Sequence, residues 1–344
     1  MMLTGCPSTR STNETRSWVS IRRPSLPTLI LLVRYLLVLA VVAFAVYYLQ
    51  SQWDEVSEAI STISALSIVV SFLVLLLGLA AGTMSWVSLL NGLGPRVTVP
   101  RAAQVMLVGQ LGKYVPGSVW SYLLQMELGR QYGISRPRVL ISSLYVAGIG
   151  VVSSLVLGGL ALPTVLRGHR ELLWLFPLLP IGLICLHPRV MTAVADVVLR
   201  IFRRPPLDHV VSSRAVAQSL LWSVASYLLY GFHLWLLVNS LIDPSLKSLI
   251  LLTGAMSLGF SAGLFAFIFP SGVGVREAVL IGAMTVLVTV PQATALSVVS
   301  RVMFTVADLV AAGGAVLIVM VLRRAHVEPP VVEDPTLTES THRP

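Results

Sequence analysis

Two stretches of the sequence set charged residues beside backbone-breaking ones, with apolar sequence on either side. The first reads Gly109-Gln110-Leu111-Gly112-Lys113-Tyr114-Val115-Pro116-Gly117-Ser118-Val119-Trp120. The second reads Phe267-Ile268-Phe269-Pro270-Ser271-Gly272-Val273-Gly274-Val275-Arg276-Glu277. Proline removes a backbone donor and glycine relaxes the chain, so a helix should break at both places. In lipid the freed backbone groups are costly unless protein or water satisfies them, so such backbone is expected to line a cavity. Gly/Pro-interrupted segments in the two halves of a membrane chain are a pointer to a binding site. Ordinary cytoplasmic turns between helices are the competing reading.

The side chains at the breaks suit an anion. Arg276 and Glu277 follow Gly274 at the start of an apolar run, where free helix amides and a guanidinium can together hold an anionic head group. Glu277 can pair with Arg276 or another base, or stabilise the helix N-terminus. Lys113 adds a cation beside Tyr114 and Trp120, a grouping that also makes an ordinary interface belt. Arg301 and Asp308 lie in the last apolar run and share a helical face. Ionisable residues at such depth mark a pathway or a partner, unless Arg301 lies near an interface. His233, among Tyr227, Tyr230 and Trp235, reads as a packed polar residue sooner than as a proton relay. Glu127 can pair with Lys113 or Arg130.

No catalytic set accompanies them. The chain has no HExxH, P-loop or GxSxG motif, and Cys6 and Cys185 lack metal-ligand spacing. Catalytic residues, metal ligands and cofactors are therefore not expected. Without a nucleotide site, uphill movement of a substrate would draw on an ion gradient, a concentration gradient or a partner.

The elements that carry these residues follow from composition. The 344-residue chain is 56% hydrophobic and 11% charged, against about 25% charged for an ordinary soluble domain. A soluble enzyme, a disordered chain and a secreted disulfide scaffold are excluded. The expected class is an all-α, polytopic helical membrane protein. Eight apolar segments can be read, at 29–50, 67–90, 139–162, 172–187, 215–242, 247–269, 277–290 and 292–322. A crossing needs about 20 residues, so the fourth and seventh are short. Six to eight full crossings are expected, with re-entrant or broken helices near Pro116 and Pro270. Residues 1–28 read as a basic cytoplasmic tail and 323–344 as a second short tail, both with disorder-like composition; 29–322 form the membrane domain.

The net charge of +9 sets orientation and marks no nucleic-acid partner, because the basic residues fall between the apolar runs. Arg96, Arg101, Lys113, Arg130, Arg136 and Arg138 put the 91–138 connection inside, as Arg189, Arg200, Arg203, Arg204 and Arg214 do for 188–214. Asp54, Glu55 and Glu58 face outside, and Arg323 and Arg324 return the chain to the inner face. Both termini are then cytoplasmic. Arg167 and Arg170 disagree, falling on the outer side.

The stretches Gly112 to Trp120 and Pro270 to Glu277 resemble the two signature segments of the lysylphosphatidylglycerol synthase transmembrane-region family, also called flippase-like domain proteins. The likeness includes Arg301 and covers roughly residues 29–322. The second segment usually reads Pro-Gly-Gly-x-Gly-x-Arg-Glu; here Ser271 stands where the first Gly is usual. The resemblance implies an inner-membrane protein that moves phospholipids or polyprenyl-linked glycans between leaflets. In the full-length synthases the membrane region is joined to a cytoplasmic aminoacyl-transferase domain. Only polar residues 323–344 follow the last span, so synthesis by this chain alone is not expected.

On this reading an anionic lipid or lipid-linked glycan is the partner, with envelope-biosynthesis proteins as further ones. The substrate-binding set is Lys113, Tyr114, Pro116, Gly117, Trp120, Pro270, Gly272, Gly274, Arg276, Glu277 and Arg301. The two breaks would meet in a polar cavity where Arg276 and Lys113 hold a phosphate-bearing head group while the tails stay in lipid. The alternatives are a membrane-embedded glycosyl or aminoacyl transferase using Glu277, Glu127 or Asp308, and a non-transporting envelope-glycan assembly factor.

Overall fold

A computed structural model describes residues 53–115, 119–165, 211–266, 272 and 274–325, with Gln50 and scattered positions between 189 and 200. The apolar segment 29–50 apart from Gln50, the segment 172–187, residues 1–28 and 326–344, and Pro116, Gly117 and Pro270 lie outside the described residues, as do Arg167 and Arg170; α9 takes in 323–325 of the expected tail.

The described secondary structure is all-helical. In chain order it comprises α1 (Trp53–Thr62), α2 (Ala65–Gly92), α3 (Val99–Gln110), a 3-10 turn (Leu111–Tyr114), α4 (Trp120–Gln131) and α5 (Arg136–Val165). There follow α6 (Ser213–Val238), α7 (Leu246–Phe265), α8 (Val275–Met284) and α9 (Val290–Ala325). Among the described residues, five helices are long and apolar enough to cross a membrane: α2, α5, α6, α7 and α9. The 277–290 run instead gives the ten-residue α8 and a turn.

Serine marks three of the helix starts. Ser64, Ser212 and Ser245 accept hydrogen bonds from the amides of Ser67, Ala215 and Ser248, and Ser245 and Ser248 form a capping box. At the far end of α2, the buried Arg138 donates from Nε and Nη2 to the Leu90 carbonyl and from Nη2 to that of Pro95. These bonds serve carbonyls that the helix end leaves open.

Small residues let the spans approach closely, as membrane helices require. Gly78 of α2 lies under the Tyr230 ring of α6, and the Ser226 hydroxyl donates to the Gly78 carbonyl at 2.8 Å. Gly158 of α5 faces Leu258 of α7, and Gly254 of α7 faces Ala161. Leu75, Leu234, Leu237, Leu252, Met256 and Leu296 are fully buried in the central apolar cluster. His233 sits among them as a satisfied core residue. Its Nδ1 is 2.7 Å from Ser71 Oγ and its Nε2 is 3.1 Å from Ser300 Oγ, tying α6 to α2 and α9.

The α3–α4 hairpin and the ten-residue α8, which forms a second hairpin with α7, depart from the pattern of full spans. Helices α3 and α4 have 12 residues each, about 18 Å at 1.5 Å per residue, against a hydrocarbon core of about 30 Å. They pack on each other, and the Tyr132 hydroxyl just after α4 donates to the Gln104 side chain in α3. Arg138, at the start of α5, reaches back to the residues before α3. The chain therefore enters on α3 and returns on α4 to the end it left.

Helix α8 turns back along α7: the Arg276 Nη2 reaches Met256 Sδ at 3.4 Å, midway along α7. Helix α8 begins against the last two turns of α7, where Gly259 and Gly263 face Arg276, and only the long Arg276 side chain reaches the middle.

Candidate functional site

The tips of the two hairpins meet different turns of α9. Arg301 and Asp308 are seven residues apart there, about 10 Å along the axis. Gly112 brings the 3-10 turn against α4, since a Cβ on it would lie 2.7 Å from the Ser121 nitrogen. That close approach carries Lys113 and Tyr114 to Asp308. Lys113 Nζ lies 2.6 Å from Asp308 Oδ2, and the Tyr114 hydroxyl donates to the same oxygen at 2.6 Å. Asp308 is buried, and this carboxylate is answered twice over.

At the second tip Gly272 has φ +66° and Gly274 φ +89°, conformations that favour glycine. A Cβ on Gly272 would stand 2.6 Å from Gly263 Cα, so the chain touches α7 backbone to backbone before α8 begins. Glu277 then resolves both sequence alternatives. Its Oε2 accepts from the Gly274 amide at 2.7 Å, capping α8, and its Oε1 lies 3.1 Å from Arg301 Nη1. It does not pair with Arg276.

Arg276 is the exception among these charges. It is 5% exposed, and its guanidinium carbon lies 4.1 Å from the centre of the Phe260 ring and 4.2 Å from that of Phe304. Among the described residues it makes no ion pair, and its Nε is buried without a hydrogen-bond partner. A cation–π contact is worth about 0.5–2 kcal/mol, whereas the effective penalty for burying an ion is several kcal/mol. The two rings alone do not balance the charge.

All three cations open onto one cavity of about 340 Å³, lined by residues from every described helix except α1. Lys113, Tyr114, Gly272, Arg276 and Arg301 are in its wall, so the structure joins members of both sequence motifs. Apart from Asp308, the rest of the wall is uncharged and mixes neutral polar side chains, including Gln110, Gln125, Ser223, Ser226 and Tyr227, with apolar ones such as Leu79, Trp86, Val146 and Phe260. Gln125 is held in place by the Ser143 hydroxyl, which in turn accepts from Trp86 Nε1.

Three residues of the expected set stand behind or away from the wall. Glu277 and Gly274 act from behind it, through Arg301 and the α8 cap. Trp120 is not a lining residue and opens α4 half exposed. Glu127 faces away as well: Arg130 and Arg136 lie 2.7 and 2.8 Å from its carboxylate on the exposed surface. Their hydrogen bonds hold its carboxyl down to about 2.

The sequence reading did not assign Asp308 a partner, nor did it single out Phe260, Phe304, Gln125 or Ser223. For Asp308 the spacing from Arg301 was a usable signal. For the two phenylalanines there was none, because aromatic residues are common throughout the apolar runs.

The model of the family described as "Lysylphosphatidylglycerol synthase TM region" matches residues 31–326, close to the 29–322 read from sequence. No curated protein matches the chain significantly. The match spans most of the sequence and takes in both hairpins and α9. The chain is a multi-pass membrane protein and belongs to the lysylphosphatidylglycerol synthase transmembrane-region family, a family of lipid or envelope metabolism.

Proposed function

We propose that the protein binds the phosphate-bearing head group of a lipid or lipid-linked glycan in this cavity and carries it between leaflets, with the tails left in the surrounding bilayer. The observation that carries the reading is Arg276, a buried cation without a carboxylate partner among the described residues, facing a cavity that carries uncharged hydroxyl and amide groups. An anion entering there would gain a charge-assisted hydrogen bond in a low-dielectric site. Lys113 and Arg301 add positive potential, although each is paired.

The family supports a lipid substrate. The half-length helices α3, α4 and α8 resemble the pieces of discontinuous helices that build midplane sites in transporters. The inner membrane of a bacterial cell, with both termini in the cytoplasm, is the setting this reading requires.

The transferase alternative has less to work with. Of its three candidate carboxylates, Asp308 and Glu277 are engaged by Lys113 and Arg301, and Glu127 is bound at the surface.

The test is head-group exchange in vesicles. The full chain is reconstituted in phosphatidylcholine with a trace of fluorescent phosphatidylglycerol, and the accessible fraction is read by quenching from outside. Accessibility should rise above half with the native protein and remain near half with Arg276→Ala at equal incorporation. Full exchange by that variant removes Arg276 from the mechanism, and no exchange by native protein for this lipid or a polyprenyl-phosphate sugar overturns the reading.

A further inference from the structure

We infer that the cavity selects a phosphodiester with a neutral, hydroxyl-rich head group, carrying one negative charge in all, over aminoacylated and diphosphate head groups. The inference rests on the proposed function and specifies the ligand of the same site.

Charge balance is the first argument. Among the described residues, Lys113, Arg276 and Arg301 face Asp308 and Glu277, and the pairs Lys113–Asp308 and Arg301–Glu277 leave the single charge of Arg276 uncompensated. A phosphodiester brings one negative charge and neutralises the site. A diphosphate brings more, and the excess would stand uncompensated in a low-dielectric space, where charge is expensive.

An added amine fares worse. Among the described residues Asp308 is the only acidic one in the wall, and its Oδ2 already receives both Lys113 and Tyr114. Glu277 gives one oxygen to Arg301 and the other to the Gly274 amide. A lysyl or ethanolamine ammonium would have to share a carboxylate that Lys113 or Arg301 already neutralises, adding a further positive charge to a site that holds one in excess.

The uncharged part of the wall points the same way. Among the described residues, the hydroxyls of Ser223 and Tyr122 make no hydrogen bond, and the Gln110 amide contacts only the Met106 sulfur, at 3.8 Å. Such groups both donate and accept, which matches hydroxyls on a glycerol, an inositol or a sugar. The volume, about 340 Å³, is at the small end of the ligand-pocket range of about 300–1,000 Å³, room for a head group without its chains.

Two kinds of lipid share this chemistry: glycerophospholipids with a polyol head group, and polyprenyl-monophosphate sugars. The test titrates the detergent-solubilised full chain with phosphatidylglycerol, lysylphosphatidylglycerol, a polyprenyl-phosphate hexose and a polyprenyl diphosphate, reading occupancy by native mass spectrometry. Phosphatidylglycerol or the hexose lipid should bind at least 10-fold more tightly than the lysyl and diphosphate lipids, and the better of the two identifies the source. Equal or tighter binding of the lysyl or diphosphate lipid overturns the selectivity.

Ser223→Glu supplies the missing acid without touching Arg276, and it should narrow the gap to the lysyl lipid at least fivefold; an unchanged gap overturns the charge argument. The two readings fail separately. Selective binding without vesicle exchange rejects transport and keeps the ligand class, whereas exchange indifferent to head group keeps transport and rejects the ligand class.

Discussion

Lys113 changes its meaning once the chain is folded. As a sequence feature it is a cation beside two aromatic residues, free to bind a substrate; in the fold its ammonium sits 2.6 Å from a buried carboxylate. Removing one member of a buried pair leaves the other uncompensated and typically costs about 3–5 kcal/mol, while replacing both by apolar groups costs far less. Lys113→Met should therefore lower thermal stability in detergent strongly, and Lys113→Met with Asp308→Leu should recover much of the loss. The interaction energy from that double-mutant cycle is the readout. Strictly additive losses would show that the two charges do not depend on each other. Arg276, by contrast, was legible from its own neighbourhood, since Gly274 and Glu277 flank the helix start. What the sequence could not supply was the identity of partners 24 and 194 residues away. Asp308 and Glu277 are both acids near cations, and only packing decides which cation each one meets.

The breaks near Pro116 and Pro270 were legible as elements because proline and glycine act locally. What the broken pieces do next was not. The return of α4 along α3 depends on Gly109 and Gly112, each without room for a side chain: a Cβ on Gly109 would lie 2.3 Å from Gln125 Cγ. At Gly112 the obstructing atoms are backbone, so the neighbour cannot step aside by changing rotamer. Gly112→Val should force the hairpin open at its tip, pull Lys113 from Asp308, and cost about 1–3 kcal/mol by overpacking alone. Gly133 is the matched comparison. Its φ is +72° but nothing lies within 4 Å of an added Cβ, so Gly133→Ala should cost only about 1–2 kcal/mol of left-handed strain. Thermal melts of both variants, with lipid occupancy by native mass spectrometry, separate the two effects. Loss of binding in Gly112→Val but not in Gly133→Ala is expected, and equal losses would remove the hairpin tip from the site.

At the scale of the whole molecule, several positive charges from separate described segments gather at one end of the bundle. The Arg323 guanidinium at the end of α9 lies 5.5 Å from the centre of the Tyr132 ring, beside the turn that follows α4. Gly92 at the end of α2 lies close to Ala215, next to Arg214. Arg138 binds the residues just after α2. These contacts bring Arg101, Arg130, Arg136, Arg214 and Arg323 to a common end, while the α6–α7 connection with Asp243 leaves from the other. Hydropathy could count apolar runs, and loop charge could assign each connection a side. Neither could distinguish one crossing at 99–131 from a re-entrant hairpin, because 12-residue helices are too short for the rule that finds spans. The positive-inside rule predicts a cytoplasmic basic end, and that expectation can be tested directly. With Cys6 and Cys185 replaced by serine, single cysteines at Arg96, Gly133 and Asp243 are exposed to a membrane-impermeant maleimide in vesicles of both orientations. Positions 96 and 133 should label only in inside-out vesicles and position 243 only in right-side-out ones. Opposite labelling of 96 and 133 would mean that the α3–α4 segment crosses the membrane. The Lys113–Asp308 contact would then have to form in a different arrangement, and the cavity built on it would be lost.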